Sequence, residues 1–243
     1  MNVEQASLLC LALLAGCTGE DPRPEPAASE VQQTARPAWQ SEVAAAFEQG
    51  IGGCAIGDAD ASRPGNEVVA VLGDGRVMLA YLERGRWRHQ QIAKTAGEMI
   101  QVAVGDAMPD RPGDEIVAVG VKAGGEDDGG PGAAVVIYRD GDAWRVERAF
   151  EDTALLHAVC VADGGVYVAG YSERAHFLQH DGSAWKTERV ADLPGPGRSA
   201  VSTRGGVAIA CRDGSLVRVA RAEGRWQSQT IDRRDGGRSR IGA

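Results

Sequence analysis

Two stretches of this 243-residue chain carry oxygen-bearing side chains in one register, 48 residues apart. The first is Gly57-Asp58-Ala59-Asp60-Ala61-Ser62-Arg63-Pro64-Gly65-Asn66-Glu67. The second is Gly105-Asp106-Ala107-Met108-Pro109-Asp110-Arg111-Pro112-Gly113-Asp114-Glu115. Alternating carboxylates before a glycine bend are how a loop gathers the roughly six to eight oxygens, at ~2.3–2.6 Å, that a hard cation needs. The same residues can instead cap backbone N–H groups, with Asp58 and Asp106 forming Asx-type turns and Pro-Gly setting the bend. Both chemistries stay open. A serine stands where the first loop needs its third acid, Met108 where the second loop needs its second, and Arg63 and Arg111 dilute the negative charge.

Other reactive side chains form no recognisable catalytic frame. Cys54, Cys160 and Cys211 each lie inside an apolar stretch (GGCAIG, AVCVAD, AIACRD). Their spacings fit no zinc pattern, and they are expected to act as buried small hydrophobes. His176 and His180 are four apart, but on a strand and its turn they do not converge as they would on a helix. There is no HExxH, GxSxG or P-loop, and GGEDDGGPG (124–132) reads as an extended acidic loop. No catalytic residue is therefore assigned, and whether the chain is an enzyme stays undecided. With 26 basic against 34 acidic residues, a net charge of −8 and no basic block, nucleic acid has no electrostatic footing.

The elements that must position these groups announce themselves through tryptophan. Trp39, Trp87, Trp144, Trp185 and Trp226 are spaced 48, 57, 41 and 41 residues apart. Each opens a segment of alternating polar and apolar residues with an apolar one about five positions on, a strand pattern. The last four follow a tight turn (ERGRW, RDGDAW, HDGSAW, AEGRW) that suits positive φ. Before each turn comes another strand-like run: Val77–Leu82, Ala134–Tyr138, His176–Gln179 and Leu216–Ala220. Two more precede it, as in Ile100–Val104 and Glu115–Val119, or Ala158–Val161 and Val166–Ala169.

Four short strands per unit at such a period predict an all-β chain, a β-propeller of four-stranded blades. A single four-stranded sheet cannot cover both its faces, so neighbouring blades must, with the tryptophans packed between them. A β-sandwich with evenly spaced tryptophans is the competing arrangement. Units are expected at about 50–99, 100–154, 155–197 and 198–238, within a domain over 37–243. The segment around Trp39 reads as the last strand of a partial blade. Arg240-Ile241-Gly242-Ala243 resembles the start of a new unit, so the expectation is about four full blades plus a partial one, as a truncated ring or an open arc. An open arc would expose an apolar blade face.

The repeats resemble the FG-GAP and VCBS repeats of integrin-α-like propellers, whose D-x-[DN]-x-D-G-x-x-D loop wraps calcium. The resemblance covers roughly residues 37–243, but the loop motif only the first two units. It implies Ca²⁺ ligands among Asp58, Asp60, Ser62, Asn66 and Glu67 in the first unit, and Asp106, Asp110, Asp114 and Glu115 in the second. In the third and fourth units Asp163-Gly164-Gly165 and Arg204-Gly205-Gly206 are simple hairpin turns with no metal reading.

The amino-terminal end carries a different chemistry. Ala6 to Gly16 is an apolar run of about 11 residues, too short for the ~20 that a spanning helix needs. It has the length of a signal-peptide core and ends in Leu14-Ala15-Gly16-Cys17, which resembles the lipobox of bacterial lipoproteins. The resemblance implies a signal peptide over 1–16, cleavage before Cys17 and acylation of its thiol and new amino group. MNVEQ departs from the pattern, with Glu4 and no Lys or Arg. The competing reading is a short buried helix with an incidental cysteine. From Cys17 to about Arg36 a Pro-, Glu- and Ala-rich stretch reads as a tether.

Together these features predict a lipid-anchored protein of the bacterial cell envelope, facing periplasm or exterior. Its partners would be the membrane, through the anchor, and a protein or carbohydrate ligand on a binding and assembly platform. The alternative is an exported hydrolase or lyase acting on polysaccharide from the central face of the propeller.

Overall fold

A computed structural model describes residues 41–121 and 130–234. Among these residues there is no helix, and sixteen strands form four antiparallel four-stranded sheets, each in chain order. Blade 1 holds β1 (Ile51–Gly57), β2 (Glu67–Leu72), β3 (Arg76–Glu83) and β4 (Arg86–Lys94). Blade 2 holds β5 (Met99–Gly105), β6 (Glu115–Val121), β7 (Gly132–Asp140) and β8 (Ala143–Asp152). Blade 3 holds β9 (Leu156–Ala162), β10 (Gly165–Gly170), β11 (Arg174–His180) and β12 (Trp185–Asp192). Blade 4 holds β13 (Gly197–Thr203), β14 (Gly206–Cys211), β15 (Ser215–Ala222) and β16 (Arg225–Arg233).

Turn chemistry sets the register of the outer hairpins. Arg84-Gly85 and Glu223-Gly224 both take positive φ (51° and 75°, 52° and 76°), which closes Glu83 against Arg86 and Ala222 against Arg225. Two consecutive positive-φ residues match the right-handed twist of the flanking strands. In blade 3 the wider turn is held by Asp181, whose carboxylate accepts the Ser183 and Ala184 N–H groups at 3.0 and 2.9 Å.

Burial then separates the strands by position. The second strands β6, β10 and β14 are buried along their whole length. That explains their unbroken apolar runs (IVAVGV, GVYVAG, GVAIAC): β6 and β10 are covered on both faces by neighbouring blades, and β14 packs on blade 3. The fourth strands are largely exposed and polar, as in RWQSQTIDR of β16, where only Trp226 is part-buried, which suits an exposed edge.

The innermost strands β1, β5, β9 and β13 lie against one another in sequence order, and three apolar cores fill the gaps between blades. The first joins Val69, Val71 and Leu79 to Val102, Ile116 and Ile137. The second joins Val117, Val119 and Val136 to Val159, Val166 and Leu178. The third joins Tyr167, Phe177 and Cys160 to Val207, Ile209 and Val219. Trp144, Trp185 and Trp226 cap the first, second and third core respectively. Trp226 meets Tyr167 edge-on at 5.9 Å and Phe177 at 5.3 Å. This is the blade packing of a β-propeller, with the ring not closed.

Two expectations change. Cys160 and Cys211 are buried, but Cys54 is exposed, because it lies on the face of blade 1 that no earlier blade covers. The strand read around Trp39 is described only from Ser41 onward, and Ser41–Phe47 has no strand partner. Trp39 itself, Cys17, the leader and tether, Glu126 to Asp128 of the acidic loop, and Arg240–Ala243 lie outside the described residues.

The packing predicts unequal tryptophans. Trp144→Ala removes the cap of a closed interface and should cost about 2–4 kcal/mol. Trp87→Ala, on the open face, should cost less than about 1 kcal/mol. Urea midpoints of the two variants check this; equal losses would contradict the assignment.

Candidate functional site

The β1–β2 loop folds around two buried acids. Asp60 and Glu67 are each 1% exposed, whereas Asp58, Ser62 and Asn66 are exposed. The Asp60 carboxylate accepts the Ser62 hydroxyl at 2.5 Å and the Arg63 Nε at 2.9 Å. Arg139 of blade 2 approaches the same group at 3.7 Å. Burial acts to raise the Asp60 pKa, but Ser62, Arg63 and Arg139 outweigh it and hold the carboxyl below its ordinary value. The Arg63 guanidinium lies over Tyr81, its Cζ 3.7 Å from the ring centre.

The β5–β6 loop repeats the frame with one substitution. The Glu115 carboxylate accepts the Ala107 and Met108 N–H groups at 2.9 and 2.8 Å, as Glu67 accepts that of Asp60 at 3.1 Å. Each strand-opening glutamate thus clasps its own loop. A tight turn follows in both, with the Arg63 N–H on the Asp60 carbonyl and the Arg111 N–H on the Met108 carbonyl, each at 2.8 Å. Arg111 covers Tyr138 at 4.3 Å as Arg63 covers Tyr81. Met108, at the position of Asp60, is buried in the core between blades 2 and 3. The two loops also touch: the Asp114 carboxylate accepts the Asp58 N–H at 3.3 Å, and the Asp114 N–H donates to the Asp58 carbonyl at 3.0 Å.

The loops therefore bring Asp58 and Asp114 together, and Asp60 with Ser62 and Glu67. Asn66, Asp106 and Asp110 stay at the surface. As placed, these groups do not fit a calcium cage. Asp60 already faces two guanidinium groups, Glu67 and Glu115 face backbone donors, and Met108 offers no oxygen. Among the described residues no group of three or more His, Cys, Asp or Glu side chains is placed to hold a metal.

Glu115 is pushed up to about 7: burial dominates, its two backbone bonds oppose, and the charges of Asp106 and Asp114 add to the rise. Glu67 is raised for the same leading reason. At 1% exposure neither acid can meet a substrate.

A second candidate is the face of blade 1 turned away from blade 2. Val68, Ala70, Met78 and Ala80 line it, and with residues of the Val43–Phe47 segment they form a partly open pocket of about 210 Å³. The Phe47 ring meets His89 edge-on at 5.5 Å. Beyond that pocket, Ile56 and Leu82 stand 68% and 55% exposed. Only Cys54, among the cavity's lining residues, can ionise or attack.

Comparison with known proteins bears on the fold. No protein-family model matches the chain and no curated protein does. Among solved structures, a candidate 6-phosphogluconolactonase from Bacteroides uniformis is similar at 12% identity, with a TM-score of 0.51 over 74% of this chain and 57% of that one. An arginine-to-alanine triple variant of AofleA from Arthrobotrys oligospora matches at 13% identity and a TM-score of 0.42, over 68% of this chain and 53% of that one. The first likeness shows the propeller-type fold alone. The chain spans just over half the length of either structure.

Two outcomes follow from the loops. A glutamate with a raised folded pKa stabilises fully below its unfolded value, near 4.5, and loses that contribution as pH rises through about 7. Glu115→Gln should flatten this loss, which amounts to roughly 2–3 kcal/mol, in denaturation midpoints at pH 5 and pH 8; identical slopes would contradict it. Millimolar Ca²⁺ or chelator should move the melting temperature by less than about 1 °C. A rise of several degrees with Ca²⁺ would show that the loops rearrange into a cage.

Proposed function

We propose that this chain is a lipid-anchored protein of the bacterial cell envelope whose propeller arc serves as a binding and assembly platform. One observation carries the platform reading. The surface that in blades 2, 3 and 4 is buried against a preceding blade is, in blade 1, apolar and partly open, with Ile56 and Leu82 exposed. An exposed apolar face of this kind marks an interaction surface. The chemistry of the candidate sites supports binding over catalysis: the cavity is lined by aliphatic side chains, and the acid titrating nearest neutrality is sealed from solvent.

The anchor rests on Leu14-Ala15-Gly16-Cys17 and the apolar run before it. Acyl chains on Cys17 supply membrane affinity, and two or more are needed for stable attachment. The Thr18–Arg36 stretch would carry the blades clear of the head groups. A protein or carbohydrate ligand would then dock on the arc.

Cell fractionation tests the anchor: Cys17→Ala should move the protein from membrane to soluble fraction, and continued attachment would count against it. A photo-crosslinker on exposed Cys54 tests the platform in intact cells. A discrete adduct should form and should disappear when Ile56→Lys and Leu82→Lys are introduced. No adduct, or one indifferent to those changes, would sink the platform.

A further inference from the structure

The four blades share a backbone device at one end, and in two of them it carries a different set of side chains. The second residue of each innermost strand is bulged out of its ladder: Gly52, Ile100, His157 and Arg198. At the end of β6 and just past the other second strands, the N–H groups of Val121, Gly73, Tyr171 and Arg212 donate to the carbonyls of Glu98, Gly50, Leu155 and Pro196, at 2.8–3.0 Å. These eight positions form two sets of four equivalents, one of each set in every blade. In blades 1 and 2 they hold glycine, isoleucine and valine. In blades 3 and 4 they hold histidine, tyrosine and two arginines, and both arginines lie beside the tyrosine.

The grouping is cationic. Arg198 donates through its guanidinium to the Tyr171 hydroxyl. Its Cζ lies 5.6 Å from the Tyr171 ring centre, and the Arg212 Cζ lies 6.0 Å from it. His157 donates from Nδ1 to the Arg198 carbonyl at 2.8 Å, so the bulge is held from both sides. Bulges are a standard means of re-aiming a side chain beside a site. No ion pair among the described residues engages Arg198 or Arg212. The nearest acid in sequence, Asp213, is taken by the Ser215 N–H and hydroxyl at 3.0 and 2.8 Å, with Arg233 at 3.9 Å.

Two guanidinium groups thus lie 5.6 and 6.0 Å from one phenol ring, and an anion held beside both would offset their charge. Arginine forks match the paired oxygens of carboxylate and sulfate, and binding is strongest when two forks share one anion. The tyrosine face beside them suits the ring of a sugar that carries such a group. We propose that Tyr171, Arg198 and Arg212 form an oxyanion-binding site, taking a carboxylate or sulfate borne by an acidic saccharide. The site goes beyond the platform reading, since it lies between blades 3 and 4 and does not involve the open face of blade 1.

Titration calorimetry on the full chain, at constant ionic strength set with NaCl, tests this with three probes: glucuronate, glucose and inorganic sulfate. Glucuronate should bind saturably and glucose should not. Arg212→Gln, at an exposed position that leaves the fold intact, should weaken glucuronate at least about tenfold. Arg198→Gln should do the same, with its melting temperature recorded as a check on folding. Binding of sulfate as well as glucuronate assigns the site to small oxyanions in general; binding of glucuronate alone assigns it to the saccharide-borne group. No heat from either anion above the NaCl control, or an Arg212→Gln protein that binds as the parent does, overturns the proposal. Membrane attachment and Cys54 crosslinking do not enter this readout, so either reading can fail without the other.

Discussion

A four-stranded sheet whose central strand is apolar on both faces has no stable existence in water alone. That constraint governs the whole chain. The second strands β6, β10 and β14 have no polar face to turn outward, so each needs a neighbouring sheet: β6 and β10 lie between two, and β14 packs on blade 3. Stacking the sheets face to face, with innermost strands adjacent, satisfies all of them together except at the ends of the series. The three interblade cores, the tryptophan caps and the small side chains of the inner strands are consequences of that requirement. So is the open apolar face of blade 1, where the series stops among the described residues.

Much of this architecture is legible in the amino-acid sequence. Indole side chains at a steady period, each just after a Gly-containing turn, locate the fourth strands. Trp87, Trp144 and Trp226 fall at the second residue of β4, β8 and β16, and Trp185 at the first of β12. Alternating patterns and unbroken apolar runs then separate edge strands from central ones. This works because hairpin turns and side-chain alternation are local: each is written in a handful of consecutive residues.

The candidate sites were less legible, because their partners come from distant strands. The spacing in the loops suggested cation ligands, since carboxylates are what a linear reading can see. The neutralising groups come from elsewhere in the fold: Arg139 reaches Asp60 from the next blade, and Tyr81 and Tyr138 sit under the loop arginines from the third strands. The constant separation of Ala59 from Glu67 and of Ala107 from Glu115 did hold the signal for a glutamate clasp. Cys54 looked as buried as Cys160 because its neighbours are apolar; its exposure follows from a missing neighbour, which no local pattern records. The grouping of Tyr171, Arg198 and Arg212 spans two blades and becomes visible only when the repeats are superimposed position by position.

Amide hydrogen exchange across the whole chain bears most directly on the claim that mutual burial of blades holds the fold together. If it does, β6, β10 and β14 should exchange slowest and at a common rate set by global unfolding, while β4 and β16 exchange faster from exposed edges. Blades that exchange independently of one another, or fourth strands as protected as second strands, would contradict the account.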